Sequence, residues 1–379
     1  MNLRVLQVLG YPDGGAAASV VDLALSLARD RCEVTVASPP LAPKVGEQLR
    51  VAGVDWVEVP LAGRRDHASF RRIRAEVRQR SIDVVHTHCR NADLIGGLAA
   101  SSVKVPWVSH LRGLFRDARG NDASSWVDQL HRMTLRRAPA RLFAVSQAVR
   151  QRSLDLLGLP PSRVVHAPHG IDLGQYLHSS SARPAGVRRQ LGLAPQDYAV
   201  LSVGSIGRCK GQDVLLDALG QLNSSRRPRW IVVGDGPDRE ELEAVAARSR
   251  VEVSFLGHSD EVPSLLRACD LFVHPARWEG FGRVVVEAMA AGCPVVASGV
   301  DGIKEVIEHE HSGLLVPADD PKALAAAIGR MQADPSLARR LRATARLRAQ
   351  TRFGAEKGHQ IIRRVLAEVC STTTRSAVS

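Results

Sequence analysis

An α/β architecture of two domains, each a parallel sheet covered by helices, is predicted by three features of the chain. Short apolar runs alternate with longer helical patterns from end to end, as in βαβ units and unlike hairpin proteins. The 379 residues are more than one core usually holds and suit two. A polar stretch, His178-Ser179-Ser180-Ser181-Ala182-Arg183-Pro184, divides the alternation near its middle.

In chain order, residues 3–9 read as a strand and residues 16–29 as a helix entered through Gly14-Gly15. Residues 33–37, 83–86, 106–110 and 142–146 are further short apolar runs. Runs of this kind between helices are buried on both faces, as in a parallel sheet. The second half repeats the theme, with strands at 199–204, 230–234, 255–257, 271–274 and 294–297 and a helix at 213–222. Two Rossmann-like domains facing across a cleft fit this pattern, with ligands outside the carboxyl ends of the strands. The expected boundaries are 1–180 and 181–354, and residues 371–379 are expected to form a disordered tail.

Composition narrows the class. A hydrophobic share of 45% and a charged share of 24% are those of a soluble globular protein. No apolar run nears the roughly 20 residues of a membrane span. The N-terminal run is too short for a signal peptide, and the six cysteines are scattered without a C-x-x-C pair. A reducing cytoplasm is the expected compartment. The net charge of +12 is uneven, with 25 Lys and Arg against 16 Asp and Glu in residues 1–185. Arg71, Arg74 and Arg78 fall on one helical face, with Arg72, Arg80 and Arg64-Arg65 close by. Such a face suits an anionic membrane surface or the phosphates of a lipid-linked acceptor. No nucleic-acid partner is expected, because aromatics make up only 4% of the chain and do not interleave with the basic run.

The densest stretch is residues 274–298, HPARWEGFGRVVVEAMAAGCPVVAS, which reads as a loop, a helix, a glycine stop and a buried strand. Glu279 lies in the loop and Glu287 about two turns into the helix. A largely helical gap between them spans roughly 10–12 Å. That is too far for two carboxylates to act on one bond, as glycosidase pairs do, and suits a grip on the two ends of an extended ligand. Gly280 and Gly282 let backbone approach that ligand. Arg208-Cys209-Lys210-Gly211 joins a strand to a helix, where an ammonium can meet a diphosphate. Gly14-Gly15 occupies the corresponding first loop of the chain. His86 and His88, two apart on a strand, share a face, but two imidazoles alone do not make a metal site. His309 and His311 read as a solvated loop.

The Glu279–Glu287 spacing resembles the E-x7-E motif of the retaining glycosyltransferases of the GT-B fold, family 4 (the group 1 family). The resemblance covers nearly the whole chain. Residues 204–211 are similar to the family's G-R-L-x-x-x-K-G loop, with Ser205 where an Arg is usual and Arg208 as a substitute charge. Asp83-Val84-Val85-His86-Thr87-His88 is similar to its D-V-V-H-x-H strand end, and Pro168-His169-Gly170-Ile171-Asp172 to its P-N-G-I-D turn. Ser146 resembles its strand-end serine, which serves as a helix N-cap. The resemblance implies a GT-B fold whose last helix, about residues 355–370, crosses back to the N-terminal domain. It implies that Glu287 holds the donor ribose and that Glu279, with the backbone of Phe281 and Gly282, positions the hexose. Lys210 and Arg208 would stabilise the departing diphosphate, with Gly14 and Gly15 bordering it. Gly234, Gly236 and Gly257 would frame the base, and His110 would contact the donor sugar. Glu279, Lys210 and His110 are the expected catalytic residues.

The implied activity is transfer of a hexose from a nucleotide-diphosphate sugar to a hydroxyl of a glycan or lipid-linked acceptor. Cell-envelope lipopolysaccharide or exopolysaccharide synthesis is the expected setting, at the inner face of the cytoplasmic membrane. No Asp-x-Asp occurs, so neither metal nor other cofactor is expected. A nucleotide-sugar epimerase of the same fold is the alternative, and a non-enzymatic nucleic-acid-binding protein a more distant one.

Overall fold

A computed structural model describes the chain except residues 1, 2, 13, 64, 65, 118, 138, 178–183, 223–227 and 379, and the side chains of 373–378. The expected linker and Arg64-Arg65 therefore lie outside the described residues. Two compact units emerge. Unit 1 comprises Met1–Phe115, Asp122–Ile171 and Gly354–Ser379, and unit 2 comprises Arg116–Asn121 and Asp172–Phe353.

Unit 1 is built on seven parallel strands: β1 (Arg4–Leu9), β2 (Glu33–Ser38), β3 (Asp55–Glu58), β4 (Val84–His88), β5 (Trp107–Leu111), β6 (Arg141–Ala144) and β7 (Val164–His166). Their order is β3-β2-β1-β4-β5-β6-β7. Strand order reverses beside β1, where the connection to β4 crosses over. Doubly wound sheets bind ligands at such a switch point. Val5, Leu9, Val84, Val108 and Phe143 are fully buried in its core. The last helix, Ala355–Val378, belongs to this unit and seals the core with Ile362, Val365, Leu366 and Val369. Each of these side chains contributes up to about 1.5–3 kcal/mol by leaving water.

Unit 2 has six parallel strands: β8 (Ala199–Val203), β9 (Arg229–Val233), β10 (Glu252–Gly257), β11 (Leu271–His274), β12 (Val295–Ser298) and β13 (Leu314–Val316). Their order is β10-β9-β8-β11-β12-β13, again with the reversal beside the first strand. Trp230 and Leu215 are fully buried in its core, and Leu337 and Leu341 of the long helix Pro335–Phe353 close one side.

Residues 371–378 differ from the disordered tail expected of them, because the last helix continues to Val378. The hydroxyls of Ser371 and Thr372 bond back to the Glu368 carbonyl within the helix.

Candidate active site

The carboxyl ends of unit 2's strands gather the donor-site candidates. After β8 the chain makes a short turn, Arg208–Lys210, and enters the helix Gln212–Gly220. Gly211 between them has φ +66°, and a Cβ there would collide with the Pro275 carbonyl oxygen, so the turn is pressed against the segment leading to Glu279. Arg277 fastens the two together. Its backbone N–H donates to the Cys209 carbonyl (2.9 Å) and its guanidinium to the Arg208 carbonyl (2.7 Å). The same guanidinium pairs with Asp213 (2.6 Å) and Asp319 (2.5 Å).

This staple brings Lys210 Nζ onto Glu279 Oε2, the same oxygen that His274 Nε2 approaches at 3.1 Å. The Glu279 backbone N–H donates to Asp301 (3.2 Å). Burial works against the Glu279 charge, but Lys210 and His274 outweigh it and hold the carboxyl well below the usual range. Burial likewise opposes the Lys210 charge, and Glu279 reverses the effect, so its pKa is raised. His274 is lowered, chiefly by burial. The pair is therefore ionised at neutral pH beside a neutral imidazole. Lys210 and Glu279 retain 23% and 16% side-chain exposure, so an arriving ligand can reach both.

Glu287 sits on the helix Arg283–Ala291, just over one turn in rather than two, because Gly282 breaks the backbone first. Gly282 has φ +90°, and any Cβ would strike Ile303, so only glycine brings the chain into this helix without strain. The Glu287 carboxylate accepts from Arg283 Nε at 2.7 Å, and both side chains are largely buried. The Phe281 ring packs edge-on against Phe353, 5.7 Å between centroids, which anchors the loop. Gly234, Gly236 and Gly257 follow or end β9 and β10. The Gly234 N–H donates to the Gly257 carbonyl (2.7 Å), and the Ile206 N–H to the Asp235 carbonyl (2.9 Å). Backbone thus forms a continuous shelf beside the Lys210 turn. The Arg208 side chain and Ser205 are exposed on this shelf.

Unit 1 carries the other candidates. Strand register sets His86 opposite Gln7, His88 opposite His110, and His110 opposite Phe143. The rings of His86 and His110 stack (5.5 Å), as do those of His110 and His169 (5.7 Å). The pair His86–His88 thus gains a third imidazole, and ring nitrogens of all three lie within 4.8 Å of one another. Three imidazoles match a catalytic zinc ligand set in number. The donor chemistry does not fit one. Both His88 nitrogens are occupied, Nε2 by Gln7 Oε1 (2.6 Å) and Nδ1 by Arg112 (2.9 Å), and the guanidinium places a positive charge beside any cation.

Gly14 and Gly15 open the helix Gly14–Arg29 after β1, both exposed. Ser146 caps the helix Gln147–Leu157 through the Val149 N–H. Arg71 and Arg78 are exposed on the helix His67–Gln79, whereas Arg74 is half-buried. Arg72 and Arg80 pair with the buried Glu76 of the same helix. Residues the motifs did not single out are Arg277, Arg283, His274, Gln7 and Arg112. The first three lay inside or beside the E-x7-E stretch, and their role follows only from their partners.

Known proteins resemble the chain over most of its length. The pattern of the glycosyl transferases group 1 matches residues 186–348, and that of glycosyltransferase family 4 matches residues 13–175. A D-inositol 3-phosphate glycosyltransferase of Xylanimonas cellulosilytica is 30% identical over 372 residues, covering 90% of this chain and 88% of that protein. A phosphatidyl-myo-inositol mannosyltransferase of Mycobacterium tuberculosis is 31% identical over 327 residues, covering 83% and 82%. The crystal structure of Anabaena HepE in complex with UDP and glucose superposes with a TM-score of 0.84 at 26% identity, covering 97% of this chain and 100% of that one. With its two Rossmann-like sheets and these relatives, the chain belongs to the group 1 glycosyltransferases, family 4, of the GT-B fold.

Proposed function

We propose that this glycosyltransferase moves a hexose, with retention at the anomeric carbon, from a nucleotide-diphosphate sugar to a hydroxyl of a glycan or lipid-linked acceptor of the cell envelope. The Lys210–Glu279–His274 constellation at the strand ends of unit 2 carries this reading. In the free protein Lys210 neutralises Glu279. An incoming diphosphate offers Lys210 a stronger anion and releases the carboxylate toward the hexose hydroxyls. The ammonium then stabilises the charge that develops on the leaving diphosphate. Glu287, oriented by Arg283, takes the ribose hydroxyls, and His110 is assigned to a donor-sugar hydroxyl. A UDP-sugar is the first donor to test, since the HepE structure holds UDP and glucose.

No metal is needed, because Lys210 supplies the charge that a metal–diphosphate site would. Transfer measured in excess EDTA should proceed at the untreated rate, and the product's anomeric configuration, read by proton NMR, should match the donor's. Loss of activity restored only by a divalent ion contradicts metal independence, and an inverted product contradicts retention.

The acceptor side is proposed to work at the inner face of the cytoplasmic membrane, through the exposed Arg71 and Arg78. Replacing both with Gln should weaken binding to vesicles rich in anionic lipid by about thirtyfold, at about 1 kcal/mol per basic residue. Replacing Arg74 as well should add little. Equal sedimentation with vesicles before and after substitution contradicts a membrane role for this face.

A further inference from the structure

Arg112, which follows β5, reaches two of the imidazoles that touch His110. Its Nη2 lies 2.9 Å from His88 Nδ1, and its Nη1 lies 3.3 Å from His169 Nε2. The His88 and His169 rings lie 5.6 and 5.7 Å from the His110 ring. A guanidinium only donates, so His88 Nδ1 must accept and His88 must carry its proton on Nε2. That N–H then donates to Gln7 Oε1 at 2.6 Å, which decides which end of the Gln7 amide faces the ring. A doubly protonated His88 would have no lone pair for Arg112. The arrangement therefore exists only with His88 neutral and in one tautomer.

His110 has no such fastening of its own. Neither of its ring nitrogens, nor either of those of His86, has a hydrogen-bond partner among the described residues, although both side chains are buried. The orientation of His110 is set by the rings packed around it, and two of those, the tilted His88 and the stacked His169, are held by Arg112. We propose that Arg112 is a positioning residue for glycosyl transfer: by clamping His88 and His169 it fixes the tautomer and placement of the rings that hold His110.

This inference rests on the role given to His110 above. The titratable and charged groups that face His110 are His86 and His88 of β4, His169 of the turn after β7, His359 of the last helix, and Arg112. No carboxylate is among them. Burial, with Arg112 next, holds His110 well below the usual imidazole range, in keeping with a neutral ring that accepts.

The test compares wild type with Arg112→Gln and Arg112→Lys, each full-length, by ¹⁵N NMR of the imidazoles and by steady-state kinetics. In wild type, His88 should remain the neutral Nε2–H tautomer from pH 8 to pH 5. In Arg112→Gln, whose amide can donate or accept, His88 should become a tautomer mixture. Its kcat should fall about tenfold with the donor KM held within about twofold. The acid limb of kcat should move to higher pH, because imidazoles without the neighbouring cation protonate more readily. Arg112→Lys, also a pure donor, should keep the tautomer and return the acid limb to its wild-type position.

An unchanged His88 tautomer in Arg112→Gln overturns the clamp. A changed tautomer with unchanged kcat and acid limb overturns the role in transfer. If Arg112→Gln does not fold, Arg112→Lys carries the test, and a displaced acid limb there overturns the proposal. The NMR arm needs no turnover, so failure of the clamp and failure of the transferase reading are told apart.

Discussion

Replacing Lys210 with alanine should lower turnover at least about 100-fold, which is about 2.7 kcal/mol of transition-state stabilisation. The fold should persist. Lys210 lies on a surface-reaching turn whose position is set by Gly211 against Pro275 and by Arg277, none of which the substitution touches. What disappears is the one ammonium paired with Glu279. On the proposed reading the donor's diphosphate then departs without its counter-charge, and the Glu279 carboxyl moves back up toward its ordinary pKa without the cation that holds it in place. Glu279 also links the pair to stability. Its folded pKa is depressed, so its contribution is fully present above about pH 4.5 and is lost as pH falls further. A Lys210→Ala enzyme with near-normal kcat and unaltered melting would contradict this role.

Acidification from pH 7 to pH 5 should remove about 2 kcal/mol of unit 1 stability for each cluster imidazole that stays neutral in the folded chain. Burial, with Arg112 adding to it, pushes His86 down to about 3. His88 and His110 are pushed well below their usual value, again first by burial. The unfolded chain takes up protons on these rings near pH 6.5, and the folded chain does not. Stability is therefore complete above about 6.5 and declines as pH falls, the direction opposite to that of a histidine held by a carboxylate. Hydrogen exchange of the β4 and β5 backbone amides reads this directly, because those strands open only when the core of unit 1 does. Equal protection at pH 7 and pH 5, after correction for intrinsic exchange, would contradict neutral burial of the cluster.

The strands that sequence patterning located are those flanked on both sides within a sheet. β1, β2, β4, β5, β6, β8, β9, β11 and β12 carry short, largely apolar runs because helices cover both faces. β3, β7 and β13, which patterning missed, are all sheet edges. β3 reads Asp-Trp-Val-Glu with one buried residue, and β7 and β13 are three residues long. An edge strand is short and partly wet, so it lacks the apolar signature that identifies a central one. β10, the remaining edge, showed only its last three residues.

The same limit applies to the site. Glu279, Glu287 and Lys210 were legible because motif spacing marks them. Arg277 was not, although it stands two residues before Glu279, because its function depends on partners at 208, 213 and 319. The histidine cluster was half visible. His86 and His88 share a face by strand periodicity, but the alignment of His110 beside His88 depends on the β4–β5 register. The Ser/Thr-rich end has a loop's composition, while its first hydroxyls bond back into the helix.

Unit 2 is proposed to bind a nucleoside diphosphate through Lys210 without a metal. Isothermal titration of UDP, GDP and ADP, each with and without its common hexoses, in EDTA tests it most directly. Saturable one-to-one binding of one nucleotide series to wild type, weakened at least about tenfold in Lys210→Ala, is the predicted result. Absence of binding by every series, or equal affinity in the two proteins, would contradict it.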